Sequence, residues 1–191
     1  MTRPAKALLN WSSLRHNYQI AKSRCAGGQA WAVIKANGYG HGLLGYARAL
    51  SSADGFAVAC LDEARQLREA GIQRPVLVLQ GAYDSAEWQQ AAELGVELML
   101  HHPQQWQDRQ QSALPAPVHI WIKVNSGMNR LGLRPQQALA LYQQVSNDPL
   151  VQPRLFASHF AAAEEVGSRS FASQLECMNQ EWPLPLSLCN S

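Results

Sequence analysis

The 191-residue sequence predicts a parallel α/β fold, a (β/α)8 TIM-type barrel with about seven of its eight strands present. From residue 31 onward, short apolar runs alternate with amphipathic segments, in repeats of about 20 to 35 residues. The runs are almost continuously apolar, which is typical of parallel strands covered on both faces. Seven consecutive units favour the barrel, although periodicity alone leaves an open doubly wound sheet as the alternative.

Two elements are predicted ahead of this repeat, a strand over residues 5–10 and a helix over residues 12–24. Seven strands follow, each short, rich in β-branched or aromatic residues and often introduced by Gly or Pro. They are predicted over residues 31–36, 55–60, 75–80, 96–100, 117–124, 154–160 and 185–190. Apolar residues at three- and four-residue spacing predict helices between the strands. The clearest of these helices cover residues 43–52, 61–71, 85–95 and 135–148.

The domain prediction follows from length. A (β/α)8 barrel usually takes about 250 residues, whereas this sequence ends at the seventh predicted strand. We therefore expect residues 1–191 to form a single, incomplete N-terminal barrel domain.

Composition argues against several classes of function. The formal charge is +2 and the basic residues are scattered, so we expect no nucleic-acid partner. The N-terminal region has only one short apolar run, at residues 7–9, which predicts neither a signal peptide nor a membrane span and favours a cytoplasmic protein. The cysteines form no CxxC pair, and the adjacent His101 and His102 have no third ligand at suitable spacing, so we expect no metal site.

Three polar side chains are predicted to lie together at the carboxyl ends of strands. Successive strand residues alternate between two faces, which places Lys35, Lys123 and His159 on inner faces. Barrels carry their catalytic groups at these strand ends. Each residue also has a purely structural alternative, because a lysine near a strand end commonly extends to solvent and a histidine can be a hydrogen-bonded core residue.

Lys35 is distinguished by the segment around it, AVIKANGYGHG at residues 32–42. Gly38, Gly40 and Gly42 permit backbone conformations and close approaches that a Cβ would block. The pattern does not match a P-loop. A lysine kept out of bulk water can lose its proton and attack a carbonyl to form a Schiff base. The segment therefore predicts carbonyl chemistry at Lys35.

Four segments together resemble one enzyme family. VIKANGYGHG at 33–42 is similar to the pyridoxal-phosphate signature of alanine racemases, and KVNSGMNRLG at 123–132 resembles their second hallmark segment. SHFAAAEE at 158–165 and CNS at 189–191 resemble two further landmarks in the same order. The resemblance covers essentially the whole sequence.

The resemblance implies a fold, a cofactor and a reaction. The N-terminal barrel would be followed by a mostly β domain, which is absent from this sequence, in a homodimer whose active sites are each completed by the partner. Lys35 would hold pyridoxal 5'-phosphate as an internal aldimine and act as the base on one face of the alanine Cα. The substrates would be L-alanine and D-alanine.

The same resemblance implies roles for further residues. Tyr39 and Ser191 would bond the cofactor's phosphate, and His159 would pack against the region of the cofactor ring. Arg130 would reach the phenolic oxygen and help to bind the substrate. Lys123, which is carbamylated in many relatives, would orient Arg130, because a carbamate turns a charge that repels this arginine into a partner for it.

The sequence departs from the family pattern in two residues and in length. Gly38 stands where alanine is usual, and Glu164 stands where many members have aspartate. The tyrosine that serves as the opposite base belongs to a later part of the family chain, so we expect this chain to be inactive alone. The alternatives are a noncatalytic pyridoxal-phosphate-binding barrel, an inactive remnant, or an amino-acid decarboxylase on the same type of barrel.

Overall fold

The computed structural model describes residues 6–189, and the chain divides into two compact units, residues 1–79 and 80–191. The elements of the first unit are α1 (Trp11–Ser23), β1 (Trp31–Val33), α2 (Lys35–Tyr39), α3 (Leu43–Ala49), β2 (Gly55–Val58), α4 (Leu61–Glu69) and β3 (Val76–Val78). The elements of the second unit are α5 (Ser85–Leu94), β4 (Glu97–Leu100), α6 (Pro103–Gln110), β5 (Val118–Lys123), α7 (Pro135–Val145), β6 (Val151–His159), α8 (Arg169–Met178) and β7 (Leu186–Cys189).

The three strands of the first unit form a parallel ladder in chain order. Trp31 of β1 lies opposite Gly55 of β2, and Phe56 of β2 lies opposite Val76 of β3. Gly55 leaves the room that the Trp31 indole occupies, because a Cβ at Gly55 would lie 2.6 Å from ring atoms. Every residue of β2 and β3 is buried, as expected for strands covered on both faces.

The four strands of the second unit also form a parallel ladder in chain order. The ladder has one irregularity, where Ile120 pairs with Pro153 but Trp121 pairs with Leu155. Arg154 is therefore an extra residue in β6, and such a bulge changes the direction of a side chain. The Arg154 guanidinium forms an ion pair with Glu97 of β4.

The side chains of β5 and β6 alternate between a helix-packed face and an opposite face. Ile120, Ile122 and Phe156 are fully buried, and the ring of Tyr142 in α7 lies 5.8 Å from the Phe156 ring. The residues that alternate with these along the strands, including Lys123 and His159, lie on the opposite face. Burial of each large apolar side chain contributes about 1.5–3 kcal/mol, so the helix-packed face fixes the register and with it the direction of the polar residues.

The seven predicted strands and the helix predicted over residues 12–24 are confirmed within the described residues, with shifts at their ends; the first strand, for example, ends at Val33 instead of residue 36. The strand predicted over residues 5–10 is wrong for its described part, because residues 6–10 form no strand. Asn10 instead begins α1, and its Oδ1 accepts hydrogen bonds from the N–H groups of Ser12 and Ser13, each at 3.1 Å. Within the described chain no strand pairs with residues 6–10, and an apolar run without a partner strand has nowhere to place its backbone hydrogen bonds.

Candidate functional site

Lys35 lies just beyond β1, in a turn whose backbone is left-handed. The strand ends at Val33, so the prediction that Lys35 is itself a strand residue is wrong. The turn has φ values of 53° at Ala36, 54° at Asn37 and 55° at Tyr39, with 60° at Gly38 between them. Left-handed backbone costs a residue with a Cβ about 1–2 kcal/mol. Consecutive residues of this kind end the strand and require support from the surrounding structure.

A carboxylate from α4 supplies that support. Glu63 Oε1 accepts a hydrogen bond from the N–H of Asn37 at 2.7 Å, and Glu63 Oε2 accepts one from the N–H of Ala59 at 2.8 Å. The Asn37 side chain in turn accepts a hydrogen bond from the N–H of Leu43 at 2.9 Å, at the start of α3. The turn after Lys35 is therefore tied to two helices. Lys35 itself is half-buried.

The glycines and Tyr39 complete this segment. Gly40 and Gly42 have φ values of 84° and 102°, and a Cβ at either position would meet no atom within 4 Å. Backbone conformation therefore requires glycine at these two positions. The close approach that the sequence also suggested occurs at Gly38, where a Cβ would lie 3.2 Å from Tyr46 Cδ2. Tyr39 is 55% exposed, so its hydroxyl is accessible to a ligand.

Lys123 is the last residue of β5 and begins a closed loop that carries Arg130. The Leu133 N–H donates to the Lys123 carbonyl at 2.9 Å, so the chain returns to its starting point. Inside the loop, Asn125 Oδ1 accepts hydrogen bonds from the N–H groups of Gly127 at 3.1 Å and Asn129 at 3.0 Å. Arg130 follows Asn129 and is exposed.

The Lys123 amine is electrostatically perturbed. Burial, and secondarily the nearby Arg130 guanidinium, lower the pKa of Lys123 from 10.5 to about 8. Both causes disfavour the ammonium form, because burial removes water from the charge and Arg130 repels it. A substantial fraction of this lysine is therefore a neutral, nucleophilic amine at slightly alkaline pH.

His159 ends β6 on the same face as Lys123. In the strand ladder Lys123 lies opposite Ala157, two residues before His159, so both side chains leave neighbouring strands at the same edge. His159 is half-buried, and its carbonyl accepts a hydrogen bond from Gln174 Nε2 at 3.2 Å. The second unit thus brings Lys123, Arg130 and His159 to one end of its strands. Ser191 lies outside the described residues.

Sequence reasoning missed two buried polar clusters. In one, Gln174 connects Ser126 and His159. In the other, the buried Glu97 accepts a hydrogen bond from Trp121 Nε1 at 2.6 Å and pairs with Arg154. Ser126 lies within a segment singled out in the sequence. The sequence signal for the second cluster was Glu97, a glutamate inside an apolar strand.

The adjacent histidines have structural partners. His101 Nε2 lies 2.9 Å from the Gln80 carbonyl oxygen, and His102 Nδ1 accepts a hydrogen bond from the N–H of Gln104 at 3.2 Å, at the start of α6. Over the described residues, no three His, Cys, Asp or Glu side chains are grouped so as to hold a metal ion. None of the helices between residues 6 and 189 combines the length and the apolar character needed to cross a membrane.

The side chains at these strand ends suit pyridoxal 5'-phosphate chemically. Lys35 offers a primary amine for the aldehyde on a braced turn, and the exposed hydroxyl of Tyr39 suits a phosphate oxygen. The exposed guanidinium of Arg130 suits an anionic oxygen. Each unit therefore carries side chains that fit the cofactor that the sequence segments imply.

Several known proteins are similar to this chain. A curated alanine racemase from Azoarcus sp. (strain BH72) is 44% identical over 193 residues, covering 99% of this chain and 54% of that relative. The crystal structure of biosynthetic alanine racemase from Pseudomonas aeruginosa matches with a TM-score of 0.87 and 36% identity, over 95% of this chain and 52% of that one. Alanine racemase from Acinetobacter baumannii matches with a TM-score of 0.82 and 29% identity, over 95% and 55%.

The matches confirm the predicted fold class, the (β/α)8 barrel, of which the described residues carry seven strands. The chain spans about half the length of the curated relatives that it matches. Residues 9–182 match the family model described as alanine racemase, N-terminal domain. On this match, which covers most of its length, the chain belongs to the family of alanine racemase N-terminal domains.

Proposed function

We propose that this chain is the cofactor-binding part of a pyridoxal-phosphate-dependent alanine racemase, which interconverts L-alanine and D-alanine. The observation that carries the proposal is the placement of Lys35, a half-buried amine at the end of β1 on a left-handed turn braced by Glu63. Such strain persists only where surrounding contacts maintain it, and it is concentrated at functional sites. The family match supports the same assignment.

The residues receive the following roles. Lys35 would hold the cofactor covalently, and its amine would take or return the α-proton on one face of alanine. Tyr39 bonds the phosphate, Arg130 bonds the phenolic oxygen and assists the substrate site, and His159 packs beside the cofactor ring. Ser191 is a further phosphate contact. When bound, the cofactor withdraws electrons from the alanine Cα and so acidifies its proton.

Lys123 is proposed to position Arg130 as a carbamate. Its neutral amine attacks the carbon of CO2, one C=O π bond opens to a carboxylate oxygen, and the nitrogen loses a proton to solvent. The lowered pKa of Lys123, about 8, makes the neutral amine available for this step. The product replaces a cation that repels Arg130 with an anion that attracts it. In the presence of 13C-bicarbonate, wild-type protein should show a carbamate 13C NMR signal that Lys123→Met lacks.

The wider assignments follow from the same proposal. The enzyme acts in the cytoplasm as a homodimer, with D-alanine as a cell-wall precursor or with alanine as a catabolic substrate. Size-exclusion chromatography with light scattering measures the oligomeric state, and a monomer in the complete protein contradicts the dimer.

The test is covalent labelling of Lys35 together with racemisation. The chain, alone and joined to the remaining half of the Azoarcus relative, is incubated with pyridoxal 5'-phosphate and reduced with borohydride, and the labelled lysine is identified by peptide mass spectrometry. We expect the label on Lys35, its loss in Lys35→Ala, and its retention in the exposed-lysine control Lys6→Ala. Lys35-dependent conversion of L-alanine to D-alanine by the joined protein confirms the reaction. Label without conversion indicates a noncatalytic binding protein, and label confined to other lysines refutes the assignment of Lys35.

A further inference from the structure

Gln174 of α8 lies at the centre of a buried hydrogen-bond cluster. Its side chain is only 1% exposed. Nε2 donates to Ser126 Oγ at 3.1 Å and to the His159 carbonyl oxygen at 3.2 Å, while Oε1 accepts from the N–H of Ala161 at 2.9 Å. Both amide donors and the amide acceptor are therefore in use. One side chain joins the loop after β5 to the end of β6.

The cluster continues on the loop side. Ser126 Oγ lies 2.8 Å from Ser158 Oγ, which donates to the Val124 carbonyl at 2.9 Å. Gln174 also packs directly on the loop backbone, because a Cβ at Gly127 would lie 3.1 Å from Gln174 Cγ. The loop is thus fixed by polar bonds and by contact at the same point.

The place where Gln174 contacts the loop determines which residues it constrains. Gln174 contacts the loop at Ser126 and Gly127. The hydrogen bonds between Asn125 and Asn129 transmit the constraint from there toward Arg130. Arg130 is exposed, so the backbone that carries it sets the region that its guanidinium can reach. At the other end of Gln174, the bond to the His159 carbonyl fixes the end of β6.

We propose that Gln174 is a positioning residue that holds the Arg130 loop and the end of β6 in one fixed arrangement. The inference rests on the proposed function, in which Arg130 and His159 meet the cofactor. Packing alone does not account for Gln174, because an apolar side chain would fill the same space without the cost of burying an amide. A fully satisfied polar network specifies one arrangement of the segments that it joins.

The test compares Gln174→Met with Gln144→Met, a control that removes an exposed glutamine from α7. Both are made in the 191-residue chain without cofactor. Backbone amide exchange is followed over residues 124–132, and the pKa of Lys123 is followed by NMR of isotope-labelled lysine. We expect loop exchange to accelerate at least about tenfold in Gln174→Met, which corresponds to the loss of about one net hydrogen bond. The Lys123 pKa should rise toward 10.5, because Arg130 moves away and water enters.

The Lys123 pKa distinguishes positioning from general stabilisation. A role limited to the packing of α8 accelerates exchange in residues 169–178 and leaves the Lys123 pKa where the control has it, which overturns the inference. If Gln174→Met does not fold, Ser126→Ala replaces it, because this variant breaks the bond to the loop and keeps the bonds of Gln174 to His159 and Ala161. It should shift both readouts in the same direction by a smaller amount, and unchanged values overturn the inference. Neither readout uses cofactor, so failure of Lys35 labelling refutes the proposed function without deciding the role of Gln174.

Discussion

The carboxylate of Glu63 holds the backbone of Asn37 at 2.7 Å, two residues beyond Lys35. Its second oxygen binds the N–H of Ala59 at 2.8 Å, immediately before the residue that caps α4. Hydrogen bonds to an ionised carboxylate are about twice as strong as neutral ones. They offset part of the cost of the left-handed turn, so the direction of the Lys35 side chain depends on a residue of another helix.

We expect Glu63→Gln to loosen this turn. The amide NH2 would face one of two backbone donors, so one hydrogen bond is lost and the other is weakened, and the free energy of unfolding should fall by about 1–2 kcal/mol. Borohydride-fixed pyridoxyl label on Lys35 should fall several-fold. Asp62→Asn is the control, because it removes a charge from the same first helical turn and lies on the exposed surface. Equal effects of the two substitutions would mean that the helix dipole, and not the contact with Asn37, is responsible.

Gly38 gives a second test of the turn. With φ of 60° and an ideal Cβ position 3.2 Å from Tyr46 Cδ2, Gly38→Ala introduces conformational cost and displaces the Tyr46 ring. Gly40→Ala, at φ of 84° with open space around the Cβ position, introduces the conformational cost alone. We expect a loss of about 1 kcal/mol for Gly40→Ala and a larger loss for Gly38→Ala, measured by urea unfolding. Equal losses would show that the ring moves without cost.

Much of the fold was predictable from the sequence because its strands are apolar runs, which can be recognised without knowing which distant residues they contact. Helix α6 is harder to recognise, since PQQWQDRQ has almost no apolar periodicity and begins at a proline capped by His102. Strand β6 begins at Val151, three residues before its predicted start. Pro153, which lacks an N–H, is accommodated beside the bulge at Arg154.

The residue types of the candidate site were predictable, but the residues that hold them in place were less so. Alternation along β5 and β6 was sufficient to place Lys123 and His159 on one face. The left-handed turn after Lys35 includes three residues with a Cβ, and its conformation depends on Glu63, 26 positions from Asn37. Gln174 reaches Ser126 across 48 positions. Contacts at such separations leave no local pattern, because they arise only when the elements pack.

The Glu97 cluster should stabilise the second unit. Glu97 is 5% exposed, accepts from Trp121 Nε1 and pairs with Arg154. Glu97→Gln leaves the Arg154 charge without its partner and should lower the free energy of unfolding by about 1–3 kcal/mol, with a change in tryptophan fluorescence. Glu93→Gln removes an exposed carboxylate from α5 and should cost less than about 0.5 kcal/mol. A loss no larger than that of the control would show that the buried pair gives no net stabilisation.

Lys123 provides the test with the clearest pH dependence. Its pKa is about 8 in the folded chain against 10.5 in the ordinary case. Below pH 8 both states carry the charge, but the folded state carries it buried beside Arg130, so the lysine lowers stability. Between pH 8 and 10.5 the unfolded state binds more protons, so wild-type stability rises with pH.

We therefore expect Lys123→Met to unfold with a free energy about 2 kcal/mol higher than wild type at pH 7, in buffer free of CO2. This advantage should shrink as pH rises from 8 toward 10.5, because the folded-state amine is neutral in this range and the free-energy cost of removing its proton falls as pH rises. Urea unfolding at several pH values measures it, with the exposed Lys6→Met as a control whose stability difference should not depend on pH in this range. Bicarbonate should reduce the advantage at pH 8, since a carbamate on Lys123 converts repulsion of Arg130 into attraction. A pH-independent difference between Lys123→Met and wild type would show that Lys123 keeps an ordinary pKa, and it would remove the electrostatic basis for a carbamate at this position.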